Sequence, residues 1–374
     1  MARTGTRSPS FRRPIAETED LDTPVEDARR TSSAPSGSTA RGEQPNGDGP
    51  SSRKDEAPGS RRARLVDYIF LLRPTALVPA WVFVARGARL ALAPRPFDGL
   101  VPQPLLALAL TTLTAVLAGG YILNQITDIE SDRRNQKLFL LHRGIIPKGR
   151  AATLMIILWA VAGVLTLWLP PGVRWAVLAA LVLNVTYSTP PIRAKARPWF
   201  DIAWNGLGFG AVSTVVGWFA VAPEVAWVEP GAFPLLETAG YAAAVAGLIA
   251  STTIPDVEGD RAEGLNTIGV ALGARRTGLV ALGLMSGAVA FAALSADAAG
   301  LVAALAGFGL LLQAQLRRSR AARVLASQWT VAAYVLVAAF FDPYLLVLLA
   351  IVVLSSRVYY RRRFDVAYPG RGTR

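Results

Sequence analysis

Two short acidic clusters hold most of the chemistry that this chain advertises. Asn124, Asp128 and Asp132 stand at i, i+4 and i+8 in N-Q-I-T-D-I-E-S-D, residues 124–132. Asp256 and Asp260 repeat the four-residue spacing in T-T-I-P-D-V-E-G-D-R. On a helix that spacing brings side chains onto one face, while Glu130 points elsewhere. Like charges so placed repel unless a cation lies between them. Carboxylates without thiolate or imidazole partners favour Mg²⁺, a hard cation that takes oxygen ligands, keeps several waters and binds substrate phosphates. Two opposed pairs would hold roughly two or three such ions and, between them, a diphosphate. The metals would stabilise negative charge on a departing pyrophosphate. The chain has no cysteine and one histidine, His142, which excludes disulfides and thiol nucleophiles and disfavours a histidine-built zinc site. His142 lies ten residues beyond the first cluster in a basic loop, so loop packing is preferred over a general-base role.

A single acidic pair near a helix end is usually a solvated loop. The elements around these two argue otherwise, because each pair terminates an apolar run long enough for lipid. A charge at membrane depth costs about 2.5–3.5 kcal/mol on insertion scales. The chain is 374 residues, 52% hydrophobic and 17% charged, with a mean hydropathy of +0.36. Apolar runs that suit a crossing helix of about 20 residues fall at 68–92, 104–126, 152–169, 174–188, 201–222, 236–255, 277–294 and 299–316. A last run, 329–358, is broken by Asp342-Pro343, and 152–169 and 174–188 are joined by L-P-P-G as a tight hairpin. Four spans separate the two acidic clusters, and each cluster ends a span. This is the pattern of two related halves that each contribute one acidic edge to a shared site. The fold class expected is all-α: a polytopic membrane protein of about nine crossing helices in two pseudo-related halves around a central cavity.

The net charge of +13 can indicate nucleic acid, but its location points to cytoplasmic loops instead. Residues 1–64 carry 12 Lys/Arg and 10 Asp/Glu, few large apolar residues and no apolar signal-like core, which reads as a disordered tail. The ten acids there also disfavour a transit peptide. The remaining charge concentrates in the 127–151, 189–200, 256–276 and 317–328 connections, whereas 223–235 and 295–298 have no Lys or Arg. Both acidic clusters therefore lie on the cytoplasmic side, in what is expected to be a bacterial plasma membrane. A membrane domain over 65–358 would be followed by a basic tail over 359–374. Arg361, Arg362 and Arg363 lie outside if 329–358 crosses once and inside if it is a hairpin, and the sequence leaves both open.

N-Q-I-T-D-I-E-S-D resembles the N-x-x-x-D-x-x-x-D motif of the UbiA superfamily of intramembrane prenyltransferases, and P-D-V-E-G-D resembles its second motif. L-L-R-P at 71–74, Y-S-T-P-P-I-R-A-K at 187–195 and G-L-N-T-I-G-V-A-L-G also resemble family segments, over roughly 65–358 in the expected order. The resemblance implies nine helices around a lipid-lined cavity. It implies Mg²⁺ on Asp128 and Asp132, with Asn124 assisting, and on Asp256 and Asp260. Lys195, Arg193, Tyr187 and Arg73 become candidates to contact a polyprenyl diphosphate. The activity implied is transfer of the prenyl group to a lipophilic aromatic or alcohol acceptor among membrane lipid. Trp199, Trp204, Phe209 and Trp218 are cavity candidates, with ordinary packing preferred. The glycines of W-N-G-L-G-F-G are read as close-packing positions. The K-L-F-L-L-H-R-G-I-I-P stretch departs from the Arg-Pro run of many family members, so the resemblance assigns no quinone, haem or chlorophyll branch. Two other classes share some features. A secondary transporter also has repeats and membrane acids. A metal-dependent lipid phosphotransferase would carry a D-G-x-x-A-R run, which is absent.

Overall fold

A computed structural model describes residues 62–92, 104–134, 138–223, 233–262 and 264–366. Most of the expected N-terminal tail (1–61), Lys137, and residues 367–374 lie outside the described residues. The described chain is helical: α1 (Leu65–Leu71), α2 (Pro74–Leu92), α3 (Pro104–Thr127), α4 (Ile129–Arg134), α5 (Phe139–His142), α6 (Lys148–Thr166) and α7 (Pro171–Ser188) come first. There follow α8 (Pro198–Asn205), a π-helical stretch (Gly206–Val212), α9 (Ser213–Val221), α10 (Leu235–Thr253), α11 (Val257–Ala262), α12 (Ile268–Leu294), α13 (Ala298–Arg317), α14 (Arg320–Phe341) and α15 (Tyr344–Phe364). Among the described residues, nine helical segments are long and apolar enough to cross a membrane. The 18-residue α7 pairs with α6 through a Pro170-Pro171 corner, where Pro171 opens the helix. On α6 only Ala151 and Ala162 are buried, while Ile156, Ile157, Val161 and Val164 are exposed. A helix apolar all round with so little covered belongs in lipid.

Two apolar cores meet on α2. One packs α2 with α3, α6, α7 and α9 around Leu113, Val116 and Val173. The other packs α2 with α8, α10 and α12 to α15 around Val82, Met285 and Val335. Glycine lets backbones touch along this seam: a Cβ on Gly217 would meet the Val84 carbonyl, and one on Gly210 would meet the backbone of α10. Of the W-N-G-L-G-F-G glycines, Gly206 and Gly210 thus serve close packing, whereas Gly208 meets only Leu183 and lines a cavity.

Two expected spans are subdivided. The run at 68–92 breaks at Leu72 and Arg73, where Arg73 adopts φ 55 and Pro74 restarts the helix. The run at 329–358 is a hairpin with Asp342-Pro343 at its turn. Each arm reaches full length by taking in basic residues at the end away from the turn, Arg320 and Arg323 on α14 and Arg361 to Arg363 on α15. Arginine stems can run along apolar surface while the guanidinium stays at the edge. The end of α15 is fixed beside α1: Tyr359 Oη donates to Asp67 Oδ1 (2.7 Å), Arg363 Nη2 donates to Asp67 Oδ2 (3.0 Å), and Phe70 stacks on Tyr359 at 3.8 Å. Gln125 Nε2 bonds the Leu71 carbonyl at 2.8 Å, so α1 lies at the acidic end of α3. Arg361 to Arg363 therefore share the end that carries the acids. His142 packs its ring on Phe139, a member of the apolar cluster at this end.

At the opposite end of α2, two arginines are sealed in ion pairs. Arg86 Nη2 contacts Asp297 Oδ1 at 2.9 Å, and Tyr241 Oη donates to Asp297 Oδ2. Arg89 makes a forked contact to Asp342, at 2.7 Å for Nη2, and also donates to the Phe341 carbonyl. These pairs tie α2 to the α12–α13 and α14–α15 turns.

Candidate active site

The first acidic cluster straddles a helix break. α3 ends at Thr127, yet Asp128 N bonds the Asn124 carbonyl at 3.0 Å and Asp132 N bonds the Asp128 carbonyl at 2.7 Å. These bonds carry the helical spacing through the break, which puts Asn124, Asp128 and Asp132 on one face. Glu130 lies off it, exposed and paired with Arg133 (2.7 Å) and Arg134 (3.4 Å). The second cluster repeats the device: α10 ends at Thr253, one 3₁₀ turn holds Ile254–Asp256, and α11 carries Asp260. Thr267 Oγ1 donates to Asp260 Oδ2 at 2.9 Å.

Lys195 stands between the α7–α8 connection and the first cluster. Arg193 turns the chain with φ 41, a 3₁₀ turn spans Ala194–Ala196, and the Lys195 Nζ reaches Asp128 Oδ1 (2.5 Å) and Thr127 Oγ1 (2.9 Å). Burial lowers the lysine pKa from its ordinary value, against the opposing pull of Asp128. Arg193 itself is exposed at the rim, close enough for its charge to act on Lys195. Arg73 lies over the Tyr121 ring at 5.2 Å, and its buried Nε has no partner.

A cavity of about 460 Å³ is lined by Arg73 and Asn124. Arg73, Asn124, Tyr187, Ser188 and Asn205 form its polar end; Val82, Phe83, Leu117, Phe209, Val245 and Val331 are among its apolar walls. Trp204 also lines it, whereas Trp199 is exposed and Trp218 is buried outside the lining. Such a cavity accepts an apolar chain and presents the Arg73 cation beside neutral polar groups, while Asp128, Asp132, Asp256, Asp260, Lys195 and Arg193 lie outside its lining.

One functional candidate escaped the sequence reading. Asp201 is buried in the first turn of α8, accepts from Tyr187 Oη (2.9 Å) and from Asn205 Nδ2 (3.2 Å), and lies within electrostatic reach of Asp260. Tyr187 in turn feels the charge of Asp128, so the two residues link the acidic clusters. The signal was present: an acid at the edge of an apolar span is a functional candidate by default. Among the described residues no group of three or more His, Cys, Asp or Glu side chains gathers tightly enough to hold a metal by protein ligands alone. Mg²⁺ that completes its shell with water and phosphate needs only one or two carboxylates, so the oxygen-only donors fit it.

The fold and this cavity define a polytopic membrane protein with an apolar chamber that carries Arg73 in its lining. The chain belongs to the UbiA prenyltransferase family, whose model matches residues 76–328. It is 34% identical over 254 residues to the lycopene elongase/hydratase of Haloferax volcanii, covering 66% of this chain and 79% of that one. It is 30% identical over 203 residues to the chloroplastic homogentisate solanesyltransferase of Arabidopsis thaliana, covering half of each. A UbiA homolog from Archaeoglobus fulgidus shares the fold at a TM-score of 0.59 and 20% identity, over 76% of this chain and 99% of that one. The same homolog has been solved bound to GPP and Mg²⁺, with a TM-score of 0.56 and 21% identity to this chain. The protein is thus an integral membrane prenyltransferase, and the transporter and phosphotransferase readings fall away.

Proposed function

We propose that the protein transfers a prenyl group from a polyprenyl diphosphate to a lipophilic acceptor, with Mg²⁺ and release of pyrophosphate. The observation that carries this reading is the cavity whose walls are apolar and whose mouth holds Arg73 and Asn124 beside the Asp128–Lys195 pair. Asp128, Asp132, Asp256 and Asp260, with Asn124 assisting, would hold Mg²⁺, which when bound supplies Lewis-acid stabilisation of charge on the departing pyrophosphate. Lys195, Arg193 and Arg73 bind and orient the diphosphate by charge-assisted hydrogen bonds. The apolar walls take the prenyl chain and exclude water from the allylic cation formed as the C–O bond breaks. The acceptor then bonds to C1 and loses a proton.

The basic connections at the acidic end support a cytoplasmic site, and we read the host as a bacterial plasma membrane. Relatives divide in their names: the Haloferax volcanii protein, matched over 66% of this chain, is named for lycopene, a polyene, and others are named for homogentisate, a phenol. In this reading the acceptor is a lipophilic aromatic or alcohol. Purified protein supplied with geranyl diphosphate and either acceptor should release pyrophosphate only with Mg²⁺. Near-normal turnover by Asp128→Ala or Asp256→Ala would overturn the metal assignment.

A further inference from the structure

Five arginines gather at one edge of the bundle, where α12, α13 and α14 meet. Gln315 Nε2 on α13 donates to the Arg275 carbonyl at 3.0 Å, and Arg323 Nη1 on α14 donates to the Ala274 carbonyl at 3.0 Å. These bonds hold the start of α12 against the turn between α13 and α14, which brings Arg275 and Arg276 to Arg317, Arg318 and Arg320. All five are exposed. Among the described residues none of their side chains has a hydrogen-bond, ion-pair or ring partner. Elsewhere Arg133 and Arg134 have Glu130, Arg363 has Asp67 and Arg197 has the Phe200 ring. Gly273 interrupts α12 with φ 72, so Arg275 and Arg276 fall in the first turn after the break, and Arg320 opens α14. A helix start already carries positive partial charge, so cations there are unfavourable until an anion joins them. Orientation of a span needs basic residues near its ends, but not the convergence of three helices on one cationic point.

Along the same three helices the surface then turns apolar. Leu279 on α12, Leu312 and Leu316 on α13 and Leu325 on α14 are exposed, Leu316 by 74% and next in sequence to Arg317. A soluble anion would meet only the arginines. A phospholipid meets both surfaces, with its phosphate on the guanidinium groups and its acyl chains on the leucines. All five cations are arginine, whose planar fork takes phosphate oxygens two at a time. We infer that this edge is a binding site for an anionic phospholipid, with the phosphate among the five arginines and the acyl chains along Leu279, Leu316 and Leu325. The site is separate from the prenyl cavity, since none of these residues lines it. The lipid would bridge the start of α12 to the α13–α14 turn. Thr267, which leads into α12, bonds Asp260, so the bridge steadies the segment that follows the second acidic cluster.

The test titrates detergent-purified, full-length protein with dioleoylphosphatidylglycerol or dioleoylphosphatidylcholine and counts bound lipid by native mass spectrometry. Each basic residue at a lipid surface is worth about fivefold in affinity, so wild type should prefer the anionic lipid on the order of 10²-fold. Arg317→Gln with Arg318→Gln, and separately Arg275→Gln with Arg276→Gln, should each cut that preference by about tenfold or more. Lys148→Gln with Arg150→Gln, at the exposed start of α6, should leave it unchanged. A wild-type preference near one overturns the inference. So does a preference that survives in both arginine pairs, or one lost equally in the Lys148 and Arg150 variant. Displacement of the lipid by inorganic phosphate at the same concentration would mark a free-anion site and overturn the lipid assignment. Should a paired variant fail to fold, Arg318→Gln decides the matter, since Arg318 stands in the turn outside both helices. It should lower the preference about fivefold, and an unchanged value overturns the inference.

Discussion

The two ends of α2 both carry buried charge, but they use it differently. At the far end, Arg86 with Asp297 and Arg89 with Asp342 are ion pairs whose side chains are at most 5% exposed. Each cation there meets a carboxylate from a turn between helices, and the result is a fastening. At the acidic end, the Asp128 side chain keeps 20% exposure although Lys195 sits on it. The short helices α4 and α11, which carry Asp132 and Asp260, have no buried residues. Charge that is sealed and mutually satisfied holds a fold together. Charge left within reach of water can exchange its partners for a ligand.

The largest effect that tests this contrast is expected at the sealed end. Asp342→Ala leaves Arg89 buried without its carboxylate and should cost about 3–5 kcal/mol of stability, measured by thermal unfolding in detergent. Replacing Arg89 by Met and Asp342 by Leu together should recover most of that loss. At the open end, Asp128→Ala and Asp256→Ala should leave the unfolding midpoint near wild type while pyrophosphate release drops on the order of 10²–10³-fold. If they unfold the protein instead, the two ends are alike and the contrast fails. Lys195→Met should lower kcat/KM for the diphosphate by roughly 10- to 100-fold, the value of a charge-assisted hydrogen bond, and Lys195→Arg should not restore it because the fork of guanidinium cannot occupy the ammonium's place. Smallest of all, Glu130→Gln should change neither the midpoint nor the rate, since its contacts to Arg133 and Arg134 are exposed. A rate loss there would return Glu130 to the site.

Much of this was legible from spacing. The i, i+4, i+8 face of Asn124, Asp128 and Asp132 persists through the break at 128 because the backbone bonds continue across it. Lys195 was recognised by resemblance, and the fold gives it a partner in Asp128. Tyr187 was grouped with the diphosphate ligands by resemblance, and the fold gives its hydroxyl a partner in Asp201. Asp201, an acid at the edge of an apolar span, carried a signal that was passed over because it stands alone, without the four-residue spacing that marks the two clusters. The last apolar run stayed ambiguous because hydropathy cannot credit Arg323 or Arg361 to a helix whose arginines lie along its flank.

Sequence alone determined that the chain is helical and membrane-embedded, and that its acids end two matching helices, since periodicity and apolar length are local properties. Only the tertiary structure decided which charges meet. The Arg89–Asp342 pair joins residues 253 apart in the chain, and Tyr187 meets Asp201 across a turn of 14. Such pairings follow from how helices pack around a shared cavity, and no stretch of sequence carries that information by itself.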